Sequence, residues 1–256
     1  VKVIASELAK LRTVRSSWAV LGAIAAAIAL GTVIIVAMTA DYDSSPAVEQ
    51  ARFGNADMAQ VMLPVIQLAV AALAVLAVTT EYGTGVIRTT LVSVPRRGVL
   101  FGAKLAVVGT TTLVLGELAA ALMYVCSWLP AHGRAANFAP WASFADGIPE
   151  VLANGLSIGV VGVLALGIGT AVRSTAGALV TMTMLLFVLP IVALLLPGAI
   201  GPWLFAVAPM NLGPELAGIV GDGSSAMSPG LAAAAMAFYV VASIAAGWVV
   251  LSKRDA

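Results

Sequence analysis

Residues 151–171 read VLANGLSIGVVGVLALGIGTA, an uncharged run with Glu150 just before it and Arg173 just after. As a helix rising 1.5 Å per residue it is about 30 Å long, which matches the hydrocarbon core of a bilayer. Its apolar residues do not alternate with period two, so it does not read as a barrel strand. Gly155, Gly159, Gly162 and Gly169 fall on one helical stripe. That is the small-residue pattern that lets helix backbones approach closely in lipid.

Working outward, five more stretches have the same character: Trp18–Thr39, Gln60–Thr80, Ala103–Leu129, Ala176–Leu196 and Leu231–Leu251. The 256-residue chain is 61% apolar and 10% charged, against roughly 45–50% and about 25% in soluble domains. So few charges exclude both a water-soluble globule and a disordered chain. A disulfide scaffold is excluded too, because Cys126 is the only cysteine. A net charge of +1 gives no electrostatic case for nucleic acid. The expected fold is an all-α membrane protein with six transmembrane helices.

The loop charges orient it. Lys2, Lys10, Arg12 and Arg15 precede the first span, and Arg88, Arg96, Arg97 and Lys104 follow the second. Arg173, Lys253 and Arg254 fall on the same side, which leaves only Arg52 and Arg134 opposite, among Asp41, Asp43, Asp57, Asp146 and Glu150. By the positive-inside rule both terminal segments are cytoplasmic. Trp18, Trp128, Trp203 and Trp248 fall near span ends, and Trp141 lies in an outer loop, as in an interfacial aromatic belt. The first apolar run is longer than a signal peptide's and lacks a small-residue cleavage site, so it reads as a retained span.

Residues 1–17 form an interfacial helix in this reading, with Ile4, Leu8 and Leu11 on one face and Glu7 at its edge; the plainer alternative is a solvated lead-in. Residues 18–256 are the transmembrane domain. Within it Pro190 predicts a kink in the fifth span. Pro197, Pro202, Pro209 and Pro214 cut residues 197–230 into pieces too short to cross. That segment reads as a broken, re-entrant hairpin before the last span.

Few residues offer chemistry. No phosphate-binding loop is present, and Gly83-Thr84-Gly85 lacks the lysine such a loop needs. One His and one Cys make a metal site unexpected. Gly155-Leu156-Ser157-Ile158-Gly159 fits G-x-S-x-G, but the sole histidine, His132, lies in the preceding outer loop, so helix packing is the better account. Glu117, near the middle of the third span, must face protein or water. It reads either as a site for a cation or proton, or as a protonated carboxyl bonded near Gln67. With Gln67 and Asn154 it forms the candidate substrate path.

The loop at 81–104 begins Glu81-Tyr82-Gly83-Thr84-Gly85-Val86-Ile87-Arg88-Thr89-Thr90-Leu91 and continues through Pro95-Arg96-Arg97 to Lys104. Glu81 sits at a helix C-terminus, where the dipole disfavours an anion. It should therefore pair with Arg88 or with a base from residues 1–17. Residues 86–94 can form a short helix stopped at Pro95. On charge alone this would equally be an ordinary basic loop touching lipid headgroups.

The order Glu-Tyr-x-x-Gly-x-Ile-Arg-x-x-Leu, then Pro-x-Arg, then Lys resembles the first cytoplasmic loop of ABC-2 type transporter permeases. Glu81, Tyr82, Gly85, Ile87, Arg88, Leu91, Pro95, Arg97 and Lys104 carry it, and Glu7, Lys10, Arg12 and Trp18 look like that family's lead-in. Val86 and Gly83 depart from the pattern. The resemblance implies an exporter subunit that is not itself an enzyme. It would work as a homo- or heterodimer of permease subunits beneath two copies of a separate ATPase that holds ATP and Mg. The loop, with Arg96 beside the matching residues, would be its coupling element. An apolar interior leans toward a hydrophobic or amphipathic cargo. The Ala-, Val- and Gly-rich usage points to a GC-rich bacterium, hence a bacterial cytoplasmic membrane. The alternative is an ion- or proton-coupled secondary transporter or channel working through Glu117.

Overall fold

The computed structural model describes residues 2–86, 89, 92, 96–218 and 227–253. Their regular secondary structure is all helical, without strands. The helices are α1 (Lys2–Thr13), α2 (Arg15–Ser44), α3 (Ala47–Gln50), α4 (Ala59–Gly83) and α5 (Arg97–Ala131). After a 3-10 turn at Phe144–Gly147 come α6 (Ile148–Val172), α7 (Thr175–Thr183), a π-helical turn (Met184–Val188) and α8 (Leu189–Leu194). The chain continues with α9 (Ile200–Val207), α10 (Leu212–Ala217) and α11 (Pro229–Lys253). Six helical segments are long and apolar enough to cross a membrane: α2, α4, α5, the 3-10 turn with α6, α7 through α8, and α11. This is the architecture of a multi-pass membrane protein.

All six expected spans are present, and most run longer than their apolar cores. The third is the extreme case: α5 begins at Arg97, well ahead of Ala103. Its early polar residues find partners across the bundle, so the helix need not stop where hydrophobicity does.

α6 is the central post. It packs against α4, α5, α10 and α11, and its glycines explain how. A Cβ on Gly159 would sit 3.0 Å from Leu113, and one on Gly162 would sit 2.5 Å from Thr112, both on α5. Gly116 of α5 returns the favour, lying against the Gly155 carbonyl. Gly169 departs from the expected single contact face and meets Val78 of α4. A straight helix drifts from any fixed stripe over fourteen residues, so its far end reaches a different neighbour.

The kink at Pro190 takes the form of the π turn. The proline ring crowds the carbonyl four residues back, at Leu186, and the widened turn over Met184–Val188 absorbs that conflict. Residues 197–218 fold as the two short helices α9 and α10, and Gly213 of α10 packs on Asn154 and Ser157 of α6.

At the end of the bundle away from α1, loops build a compact cap. Tyr42, Phe53 and Phe138 cluster, with Tyr42 and Phe138 centroids 4.3 Å apart. Arg134 grips Asp43 through two hydrogen bonds of 2.6 and 2.7 Å. Trp141 departs from the belt expectation: it is 7% exposed and donates to Glu150 at 3.0 Å. The loop folds back over the helix ends and takes that indole into the interior. Trp18, Trp203 and Trp248 are exposed.

Candidate functional site

Four charged side chains meet where α1, α4 and α5 converge. Lys104 of α5 donates to Glu7 Oε2 at 2.7 Å, to Glu81 Oε1 at 2.6 Å and to the Ala77 carbonyl at 3.3 Å. Lys10 donates to Glu7 Oε1 at 2.6 Å and to Glu81 Oε1 at 2.8 Å. Glu7, Glu81 and Lys104 are all buried. Two carboxylates and two ammonium groups cancel in charge, which is the condition for keeping them away from water. Burial works against the charge on Lys10, but its hydrogen bonds to the Glu7 and Glu81 carboxylates, with their negative charge, outweigh it and hold its pKa above the usual lysine value.

The sequence placed Glu81 against either Arg88 or a base from residues 1–17. Lys10 is such a base, and Lys104 joins it from the third span. Arg88, like Ile87, Leu91 and Pro95, lies outside the described residues. The network also orients α1. Glu7, expected at the edge of the apolar face, is the buried residue, while Ile4 and Leu8 are 46% and 37% exposed. Ile4 and Leu8 face away from the protein, as on an interfacial helix, while Leu11 packs against the core and Glu7 and Lys10 join α1 to the bundle.

The other described members of the expected coupling set make contacts of their own. The Tyr82 ring lies under the Arg173 guanidinium, 5.1 Å from its centroid. Arg173 closes α6 with φ of 57°, a left-handed conformation that is costly for a non-glycine residue. From there its side chain also reaches the Val250 carbonyl on α11, at 3.3 Å. Gly85 takes φ of 72°, so the chain leaves α4 in a turn that suits glycine alone. Arg97 donates to the Leu251 carbonyl at 2.8 Å, and Arg96 is exposed just before α5. Both edges of the 84–96 stretch are thus fastened, at Glu81 to α1 and α5, and at Arg97 to α11.

No family profile and no curated protein matches this chain.

The candidate path residues form a second polar group, in the helix interior. Gln67 Nε2 donates to Ser157 Oγ at 3.2 Å, and Ser157 Oγ donates to the Asn154 carbonyl at 2.8 Å. The Ser157 hydroxyl is engaged with an amide and a backbone oxygen, neither of which is a base. Gln67 Oε1 and Asn154 Oδ1 are buried without a hydrogen-bond partner among the described residues. Glu117 lies on the α5–α6 seam, with its carboxyl against Gly155, the neighbour of Asn154. All three candidates therefore meet at Asn154–Ser157, in the N-terminal half of α6.

Sequence reasoning missed a further pair. Asp57 accepts from the Ala59 amide at 2.8 Å, just ahead of α4, and lines one small cavity with Glu150 at the start of α6. Burial raises the Asp57 pKa above the usual carboxylate range, against hydrogen bonds that lower it. The only signal in the sequence was two acids, each just before an apolar run.

Proposed function

We propose that this chain is the transmembrane permease subunit of an ABC-2 type exporter, moving a hydrophobic or amphipathic substrate with energy from ATP hydrolysed on a separate ATPase. The observation that carries the reading is the mounting of the 84–96 stretch. Glu81 is fastened to Lys10 and Lys104 at one edge, and Arg97 to the end of α11 at the other. A loop fixed to three helices transmits force, where one tethered only to its own helix would swing. The resemblance of residues 81–104 to the coupling loop of those permeases supplies the identity of the pusher.

In this reading the basic end of the bundle is cytoplasmic, α1 lies in the inner leaflet on Ile4 and Leu8, and α9 and α10 form the re-entrant segment on the outer side. The working unit is a dimer of permease subunits, homo- or heterodimeric, under two ATPases. The chain supplies no residues for ATP or Mg, which belong to the partner. Push on the loop would reach α4 through Glu81 and α5 through Lys104, and α6 lies against both.

The test is purification from native membranes. A nucleotide-hydrolysing partner should come with the chain, and Glu81→Ala combined with Arg88→Ala should uncouple hydrolysis from transport. Coupled hydrolysis untouched by that double variant would refute the lever.

A secondary transporter is the second reading, favoured by the position of Glu117 beside Asn154. It requires gradient-driven transport without ATP, abolished by Glu117→Gln.

A further inference from the structure

A cavity of about 290 Å³ lies between α1, the start of α2, α4 and α5. Its closed end is made by Leu73, Val107 and Val108, all buried, and its rim by Val14, Thr80, Thr84 and Val86, all exposed. Along α4 the lining changes character, from Leu73, Leu76 and Ala77 to Thr80, Glu81 and Thr84. The eleven steps from Leu73 to Thr84 rise about 16 Å, close to the hydrocarbon depth of one leaflet. A slot that is apolar in its depth and polar at its mouth has the shape of an acyl chain with a headgroup.

The ion network defines the headgroup through its leftover valences. Lys104 spends its three N–H groups on Glu7, Glu81 and Ala77. Lys10 spends two, on Glu7 and Glu81, and keeps one. Both Glu7 oxygens are taken, and both lysines share Glu81 Oε1. Glu81 Oε2 is buried without a partner among the described residues. The network is therefore neutral but unsaturated, with one acceptor and one donor to spare. Ser16 and Ser17 line the same cavity at the start of α2, whose N-cap, Val14, offers no side-chain cap.

We propose that this cavity binds one phospholipid with a primary-amine zwitterionic headgroup, phosphatidylethanolamine in chemical class. The ammonium donates to Glu81 Oε2. The phosphate accepts from Lys10, Ser16 and Ser17, and one acyl chain fills the slot down to Leu73. A choline headgroup has no N–H to donate, and a glycerol headgroup offers Glu81 only a neutral hydroxyl while bringing net negative charge to a neutral network. The site stands apart from the exporter reading, because lipid retention is read on the lone chain.

The experiment reconstitutes the purified chain in nanodiscs of equimolar dioleoyl phosphatidylethanolamine, phosphatidylcholine and phosphatidylglycerol, strips annular lipid with detergent, and weighs the retained complex by native mass spectrometry. One phosphatidylethanolamine per chain should remain, favoured about tenfold over each competitor, the weight of one charge-assisted hydrogen bond. Ala77→Phe and Val107→Phe, made separately, fill the slot from two helices and should each abolish retention. Val241→Phe, on an exposed face of α11, should leave it unchanged. Equal retention of phosphatidylcholine, preference for phosphatidylglycerol, or a non-lipid adduct in place of the lipid would overturn the proposal on the wild-type chain alone. Full retention in a folded slot-filling variant would overturn it as well.

Discussion

Lys104 is the residue on which the ion network turns, since it alone touches both carboxylates and a backbone carbonyl. Replacing it with methionine keeps the stem and removes the charge, leaving Glu7 and Glu81 to share the half-exposed Lys10. Breaking a buried ion cluster by removing one partner costs about 3–5 kcal/mol, so Lys104→Met should lower the melting temperature in detergent clearly. Lys253→Met, on an exposed residue, should change it little. Asp57 gives a pH prediction. Its carboxyl keeps its proton to higher pH when folded than when unfolded. Stability must therefore fall as pH rises above about 4, through the raised folded value. Asp57→Asn, which stays neutral, should flatten the fall in a series of melts. At this scale the sequence was half legible. The dipole argument at Glu81 demanded a cation and found Lys10. Lys104 was hidden because it lies twenty-three residues further on, and only the packing of α5 on α4 brings it near.

Among the helices, the close approach of α5 and α6 is the feature most open to test. A methyl on Gly162 would meet the branched carbon of Thr112, a side chain with little freedom to move. Gly162→Ala should thus cost about 1–3 kcal/mol through overpacking, despite alanine's better helix propensity. Gly22, with nothing within 4 Å, is the control, and Gly22→Ala should be neutral or stabilising by up to about 1 kcal/mol. Thermal melts of the two variants decide it. Helix existence was plain from hydrophobicity, because a span needs little beyond length and apolarity. Helix faces were not. On α1, Ile4 and Leu8 face outward as an interfacial helix requires, but Leu11 turns to the core and Glu7 is drawn inward by Lys104, a partner no periodicity records. Trp141 was unreadable for a related reason: the position of a loop tryptophan depends on how the loop folds back, and no periodicity records that.

For the molecule as a whole, a bundle built around α6 carries a loop fastened at both edges, by Glu81 and by Arg97. The exporter reading follows from that loop being pushed by another protein. The most direct measurement is nucleotide hydrolysis by the chain purified from its native membrane, with and without the protein that accompanies it. The account predicts no hydrolysis by the lone chain and robust hydrolysis by the complex, with the substrate-stimulated part lost in the Glu81→Ala, Arg88→Ala variant. Hydrolysis by the lone chain, or transport driven by an ion gradient with no hydrolysing partner present, would contradict it.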